Sequence, residues 1–412
     1  MNHSANGQFY FGWWIVVFTF MLQFAVVGLC YYTFSVYLKP LTEALGSDRF
    51  SVSIAMSLQM GVSALLSPIA GKLFAEKSLK ALLLFGTGML LLGHLLMSQV
   101  TSVWQLYVVW GGVLGIAQVS LGAIPCNLML ANWFNRRRGS ALGISQFGIT
   151  ISGTVLVPLV TWLIITYGWR TAPIICGAVA AVVLVPLIIK LAIRAPSDLG
   201  LNPDGDAEPA SSANTEPVEN WDFLRAVKER DIWALTFTVG PCYFGVSAVI
   251  LGMHSHMTDI NIDALTASSI VAVTTLFGAI AKPLFGILSD HLPKKACVAI
   301  ALLLQAIGVL LIINLSAVNA LYVAGALFGL GYGAMSPLWA VLLATRYGAA
   351  AFAKIMGAGL LLLMPFNLSG LPITTYVYSL TGSYIPAFEA LMFGYVIAAL
   401  GLWTFRLHAP TK

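Results

Sequence analysis

Apolar runs of twenty or more residues recur along the whole chain, at about 11–38, 51–74, 79–98, 103–131, 140–167, 171–193, 231–257, 265–289, 296–316, 319–345, 352–380 and 384–406. Each is long enough to cross a hydrocarbon core of about 30 Å, for which roughly 20 helical residues suffice. A segment in lipid must satisfy its own backbone N–H and C=O groups, so runs of this length are helices; barrel strands would be about ten residues long and would alternate. The chain is 59% hydrophobic and 9% charged, with a mean hydropathy of +0.88, which leaves too little polar surface for a fold in water. The expectation is an all-α membrane protein with twelve transmembrane helices.

A net charge of +5 does not point to nucleic acid, because the basic residues sit in short loops beside apolar runs, as membrane topology requires. Seventeen of the 21 Lys and Arg residues, including Arg136, Arg137, Arg138, Arg194, Lys294 and Lys295, fall on one side of the threading. Lys39, Arg49 and Arg170 fall on the other, and Lys282 lies inside a run. The bias predicts that both termini are cytoplasmic, in a cell inner or plasma membrane. The start, MNHSANGQFYFGWW, has no positive n-region and no small-residue cleavage site, so the first run is expected to stay as a span. The five cysteines, Cys30, Cys126, Cys176, Cys242 and Cys297, all lie in apolar runs without a CxxC and read as buried free thiols.

Residues 194–230 differ in composition: they hold four prolines and eight of the sixteen acids. They read as a solvated linker ending in WDFLRAVKER, a short interfacial helix. The linker divides the chain into an N-terminal six-helix bundle, 1–193, and a C-terminal one, 231–412. Landmarks repeat between the halves. Pro68 and Gly71 match Pro283 and Gly286 at a shift of 215, Pro125 matches Pro337 at 212, and Gly143 and Gly168 match Gly357 and Gly382 at 214. A duplicated six-helix bundle, with the two halves related by an axis along the membrane normal, is the economical account.

Lys282 lies eight residues before Asp290, roughly 12 Å of helix from the end of its span. Its ammonium either snorkels to the interface or meets an anion, because a charge at this depth is costly unless compensated. The same cost makes it a candidate for proton coupling. Glu389 is the only acid well inside a run; a structurally satisfied or partly solvated carboxylate is favoured over a coupling role. His254 and His256 in MHSHMTD are candidates for protonation at the external mouth, or simply exposed loop-edge histidines. No third ligand stands at metal spacing, so no metal or cofactor is expected. Tyr32, Asn127, Gln146, Tyr243 and Asn367 are polar at mid-span depth and either line a substrate path or hold helices together. The glycines of the fourth and tenth spans, Gly111, Gly112, Gly115, Gly329, Gly331 and Gly333, allow close helix approach.

GILSDHLPKK at 286–295 resembles the signature of the major facilitator superfamily between spans eight and nine, Gly-x-Leu-x-Asp with a basic cluster, here Gly286, Asp290, Lys294 and Lys295. Its first copy, GKLFAEKSLK, keeps Gly71 but has Ala75 at the acidic position, followed by Glu76. The resemblance covers all twelve spans. It implies two pseudo-symmetric bundles working by alternating access, and a cytoplasmic gate in which these residues take part with Arg138 and Gly139. A narrower resemblance, to the monocarboxylate carriers and oxalate:formate exchangers, rests on TFSVYLKPL at 33–41, NWFNRRRGSALGI at 132–144 and the x-Pro-x-x-Gly ending of span eight. It implies a carboxylate-binding role for Lys282, which stands where that family has an arginine. The chain departs from the pattern at Gly278, where those carriers often place an aspartate, and at Tyr32, where they carry a lysine. Span eleven lacks the second cation of the oxalate exchangers, which favours a monoanion.

The resulting expectation is a secondary transporter, a monomer, excluded from enzymatic roles by the lack of any clustered nucleophile, base and orienting group, and moving a small organic anion with a proton. The rivals are an efflux pump for hydrophobic or cationic compounds, disfavoured because spans one to six hold no mid-span acid, and a non-transporting sensor. No GxxxxGK[ST] phosphate cradle occurs.

Overall fold

The computed structural model describes residues 10–205, 225 and 228–404. Among the described residues every regular element is helical, and eleven helices are long and apolar enough to cross a membrane. They are α1 (Gly12–Ala44), α2 (Arg49–Glu76), α3 (Leu79–Met97), α4 (Val103–Trp133), α5 (Arg138–Tyr167) and α6 (Thr171–Leu191), then α7 (Arg230–Asp259), α8 (Ala264–Ser289), α9 (Lys294–Asn314), α10 (Val318–Tyr347) and α11 (Ile355–Thr381). The twelfth, α12 (Ile385–Gly401), has 17 residues, roughly 26 Å, still enough to span when flanking residues help.

The chain forms two compact units, Met1–Ser47 with Ile54–Asn214, and Asp48–Ser53 with Thr215–Lys412. Each unit pairs its helices in the same way, which gives the repeat in the sequence a structural counterpart. In the first, α1 lies on α5, where Gly28 meets Leu156 and Ser152, and α3 packs on α6 and α4. In the second, α7 lies on α11, where Gly370 meets the Phe244 carbonyl and Ser247, and α9 packs on α12 and α10.

The second and fourth helices of each unit meet through glycine. Gly111 and Gly115 of α4 face Leu58 and Val62 of α2. Gly325, Gly329 and Gly333 recur every four residues along one face of α10 and touch α8 at Thr274 and Gly278. A Cβ on Gly333 would stand 2.0 Å from the Gly278 carbonyl oxygen, backbone that cannot yield. Without a hydrophobic drive between helices in lipid, such close approach is what holds them. Gly331 faces the other way, onto Ala301 and Gln305 of α9.

Three features depart from the reading of the sequence. The helix does not break between α10 and α11 but runs unbroken from Val318 to Thr381, because the connection, GAAAFAK, is rich in the best helix former. Helix α1 continues past Pro40 to Ala44. Three spans carry π-helical turns, Gly28–Tyr32 in α1, Tyr107–Val113 in α4 and Val246–Ile250 in α7. The first and third are repeat equivalents. Such turns cost backbone geometry and are common at functional sites.

Residues 194–205, expected as the start of a solvated linker, are instead stitched to the first unit. The Arg194 guanidinium donates to the carbonyls of Phe74, Ala75 and Lys77 at the end of α2, groups that a helix C-terminus leaves unsatisfied. Trp133 Nε1 donates to Ile193 O and Asn132 Nδ2 to Arg194 O. Asp204, at a left-handed φ of 60°, accepts the backbone N–H groups of Asn135, Arg136 and Arg137 ahead of α5. The expected interfacial helix in WDFLRAVKER lies outside the described residues, apart from Arg225 and the residues from 228 on.

Candidate functional site

Lys282 lies on α8 seven residues before the end of the span at Ser289. Its side chain is half-buried, between buried Ala281 and exposed Pro283. One turn earlier, on the same helix face, is Gly278. The space a Cβ would take there is filled by Tyr332 of α10, whose Cζ and hydroxyl oxygen both come within 2.5 Å of that position. The Tyr332 hydroxyl oxygen is buried. The position where the family resemblance suggests an aspartate is thus closed to any side chain by a phenol.

Tyr243 and Asn367 come together on the neighbouring helix pair. Gly240 of α7 packs on the ring of Phe366, and Gly370 of α11 packs on the Phe244 carbonyl, so the two candidates lie at one level. Both are half-buried, and the Asn367 amide oxygen is a buried acceptor with no donor among the described residues. In the first unit the candidates are spread out. Gln23 donates to Ser145 at 2.6 Å, while Gly28 faces Ser152, so α1 and α5 run in parallel. That register puts Gln146, half-buried, about 12 Å in level from Tyr32, a difference of roughly eight residues at 1.5 Å each. Tyr32 is 5% exposed and stands in the π-turn of α1, edge-on to Tyr31. Asn127 is exposed on α4.

The coupling candidates separate as well. His254 and His256 are not exposed loop-edge residues: both are 4% exposed within α7. His254 Nε2 lies 3.3 Å from the Ala264 carbonyl, and His256 packs edge-on against Tyr384 and Phe388. They are buried because the helical part of α7 runs on through Asp259, where the sequence suggested a loop. Glu389 is exposed on α12.

The signature residues sit at the helix ends that carry the basic loops. Lys294 Nζ donates to Thr345 Oγ1 at 2.7 Å, and Lys295 lies 5.6 Å from the Trp403 ring. Gly286 has open space around its Cα, and Asp290 is in the last turn of the helix that contains α8. In the first copy Gly71 is likewise unobstructed, Glu76 pairs loosely with Lys72 across 4.0 Å of exposed surface, and Arg138 and Gly139 open α5 exposed.

Two ion pairs in the second unit were not singled out from the sequence. Arg346 Nε donates to Asp231 at 2.8 Å, with the side chains 11% and 8% exposed. Arg49 makes a two-point contact with Asp259, Nη2 to Oδ1 at 2.8 Å, and also donates to the Tyr384 hydroxyl. Its guanidinium stacks 4.1 Å from the Tyr378 ring centroid. The available signal was that each pair joins opposite charges standing at the ends of spans.

Residues 20–256 and 235–412 both match the Major Facilitator Superfamily. The chain belongs to this superfamily. Among curated relatives, monocarboxylate transporter 13 of Rattus norvegicus is 25% identical over 382 residues, 92% of this chain and 85% of its own length. Monocarboxylate transporter 2 of Homo sapiens is 22% identical over 95% of this chain and 84% of its own. The oxalate:formate antiporter of Oxalobacter formigenes is 22% identical over 74% and 70%. In fold, the chain resembles a bacterial homologue of the human lysosomal transporter Spinster, with a TM-score of 0.76, 14% identity, and coverage of 97% of this chain and 98% of the other. As a major facilitator protein it is a multi-pass membrane carrier of a small molecule and not an enzyme.

Proposed function

We propose that this carrier moves a small monocarboxylate, with Lys282 as the contact for its carboxylate. The single observation behind the reading is a lysine seven residues inside α8, in a chain whose relatives bear the names of monocarboxylate transporters. An ammonium at that depth costs several kcal/mol by insertion scales of roughly 2.5–3.5. A bound carboxylate would meet the ammonium with an opposite charge at this depth. The lack of a second cation in α11 fits a monoanion. Tyr243 and Asn367 are the polar groups we assign to the rest of the anion in the second unit, and Tyr32, Asn127 and Gln146 those in the first.

In this reading transport runs by alternating access and is coupled to a proton, with Lys282, His254, His256 and Glu389 as the titratable candidates. The ends carrying Arg138, Asp290, Lys294 and Lys295 face the cytoplasm, as do both termini, and the membrane is the cell inner or plasma membrane. The protein works as a monomer. The test is uptake of labelled monocarboxylates into vesicles reconstituted with the purified protein. Lys282→Gln should abolish uptake while leaving the detergent-solubilised protein folded; full uptake by that variant would refute the assignment.

A further inference from the structure

We infer that a cleft between α1, α5 and α6 of the first unit is a binding site for one acyl chain of a membrane phospholipid. None of the residues assigned to the anion lines this cleft, so the site is separate from that of Lys282.

The cleft has a volume of about 170 Å³. An apolar cavity of ~150 Å³ accommodates benzene, so this one takes about six carbons of a chain. It is elongated along the helices. Its α1 wall runs from Met21 to Leu29 and its α6 wall from Cys176 to Leu184, in each case roughly 12 Å of helix. Buried Leu29, Leu156, Ala180 and Leu184 form the floor, and exposed Leu159, Val179 and Val183 form the rim. The rim is exposed with every described residue in place, at mid-span depth, so the cleft opens sideways from the protein into hydrocarbon.

Chemistry and size select the occupant. Every lining side chain is apolar, the Cys176 thiol packing as a small hydrophobe, so water finds none of the polar partners that would hold it. A partner helix is 10–12 Å across, and 12 Å of it would need several times the volume of the cleft. The level suits a phospholipid. Cys176 stands five residues into α6, roughly 8 Å from its end, and Leu163 stands four residues before the end of α5 at Tyr167. At that end exposed Trp162 and Tyr167 meet edge-on, with ring centroids 6.1 Å apart, and such aromatics sit at headgroup level. A lipid whose headgroup stays beside them sends its chain down the cleft. There the chain lies against Leu29, a member of the π-turn Gly28–Tyr32, and Leu156, on which Gly28 packs. It supplies the contacts that an open cleft would forfeit, beside the turn that carries Tyr32.

The experiment places the full chain in phosphatidylcholine vesicles doped with a phosphatidylcholine that carries a photoreactive diazirine halfway along one acyl chain. Crosslinks are mapped by peptide mass spectrometry. Labelling of residues 21–29 and 176–184 should exceed, several-fold, that of α12 around Phe393 and Ile397, which are exposed within a span but do not line the cleft. Ala180→Leu fills the cleft and should remove the excess without lowering the melting temperature of the detergent-solubilised protein. Ala25→Leu, on the opposite wall, does the same should Ala180→Leu fail to fold. Equal labelling of the cleft and of α12 in the parent would overturn the inference, as would an excess that persists in a folded variant with the cleft filled. Labelling of the cleft by diazirine-tagged palmitate, where the tagged phospholipid leaves it bare, would assign it to a free fatty acid and overturn the inference as well.

Discussion

Breaking the ion pair between Arg49 and Asp259 should cost more than removing it. The Arg49 side chain is 9% exposed and that of Asp259 21%. Removing one partner of a buried pair costs about 3–5 kcal/mol, because the other charge is left uncompensated; the partial exposure of Asp259 admits water and lowers this to roughly 2–3 kcal/mol. Asp259→Leu therefore strands a guanidinium whose remaining contacts are the Tyr384 hydroxyl and the Tyr378 ring. Arg49→Met strands a more hydrated carboxylate but also loses the stacking on Tyr378, worth about 1 kcal/mol, so its cost is similar. The double variant strands nothing and should lose only about 1–2 kcal/mol, giving a coupling of roughly 2–4 kcal/mol within the cycle. Unfolding by dodecyl sulfate titrated into maltoside micelles, followed by tryptophan fluorescence, measures all four proteins. If the double variant loses the sum of the two single losses to within about 0.5 kcal/mol, the pair is not coupled and the reasoning is wrong.

Gly333→Ala should destabilise the second unit by about 1–3 kcal/mol, the usual cost of overpacking, since its Cβ would meet the Gly278 carbonyl at 2.0 Å; the same micelle titration reads it. Asp204→Ala removes the acceptor of three backbone N–H groups ahead of α5 and should cost about 1–2 kcal/mol, as for loss of a helix cap. Asp263 caps α8: hydrogen bonds from the Thr266 side chain and amide hold its carboxyl below the usual range. At Asp48 burial would raise the carboxyl, but bonds from the Ser51 amide and hydroxyl outweigh it and the net shift is down. A depressed folded value means stability that is present above the unfolded value, near pH 3.9, and lost as pH falls through the folded one. Asp263→Ala and Asp48→Ala should therefore melt below the parent at pH 7 and approach it in acid, as melting curves across pH will tell.

The fold was legible because lipid imposes so strict a rule. Run length alone set the twelve spans, and the spaced prolines and glycines exposed the duplication. The failures have local causes. The helix through 346–354 continues because alanines there favour it, whereas charge at Arg346 and Lys354 suggested a loop. His256 is buried because the last helical turns of α7 pack beneath Tyr384 and Phe388, more than a hundred residues away in sequence, while His254 lies against the Ala264 carbonyl at the start of α8. Lys282 was visible as a charge in an apolar run. Tyr332 was not, since a tyrosine among glycines gives no signal until the glycine it covers is known. Arg49 and Asp259 each read as an ordinary loop-edge charge, and only tertiary structure pairs them.

The Asp204 contact also bears on how the protein is made. The amides ahead of α5 find their acceptor in a residue that follows α6, and the Arg194 guanidinium reaches back to the end of α2. Two of the first unit's helix ends are thus completed by chain that leaves the ribosome after all six of its spans. Until residue 204 has emerged, those ends depend on water or headgroups for partners. Insertion of the first six helices and completion of the first bundle are then separate events in time, and a variant at Asp204 would be open longest to quality-control proteases during that interval.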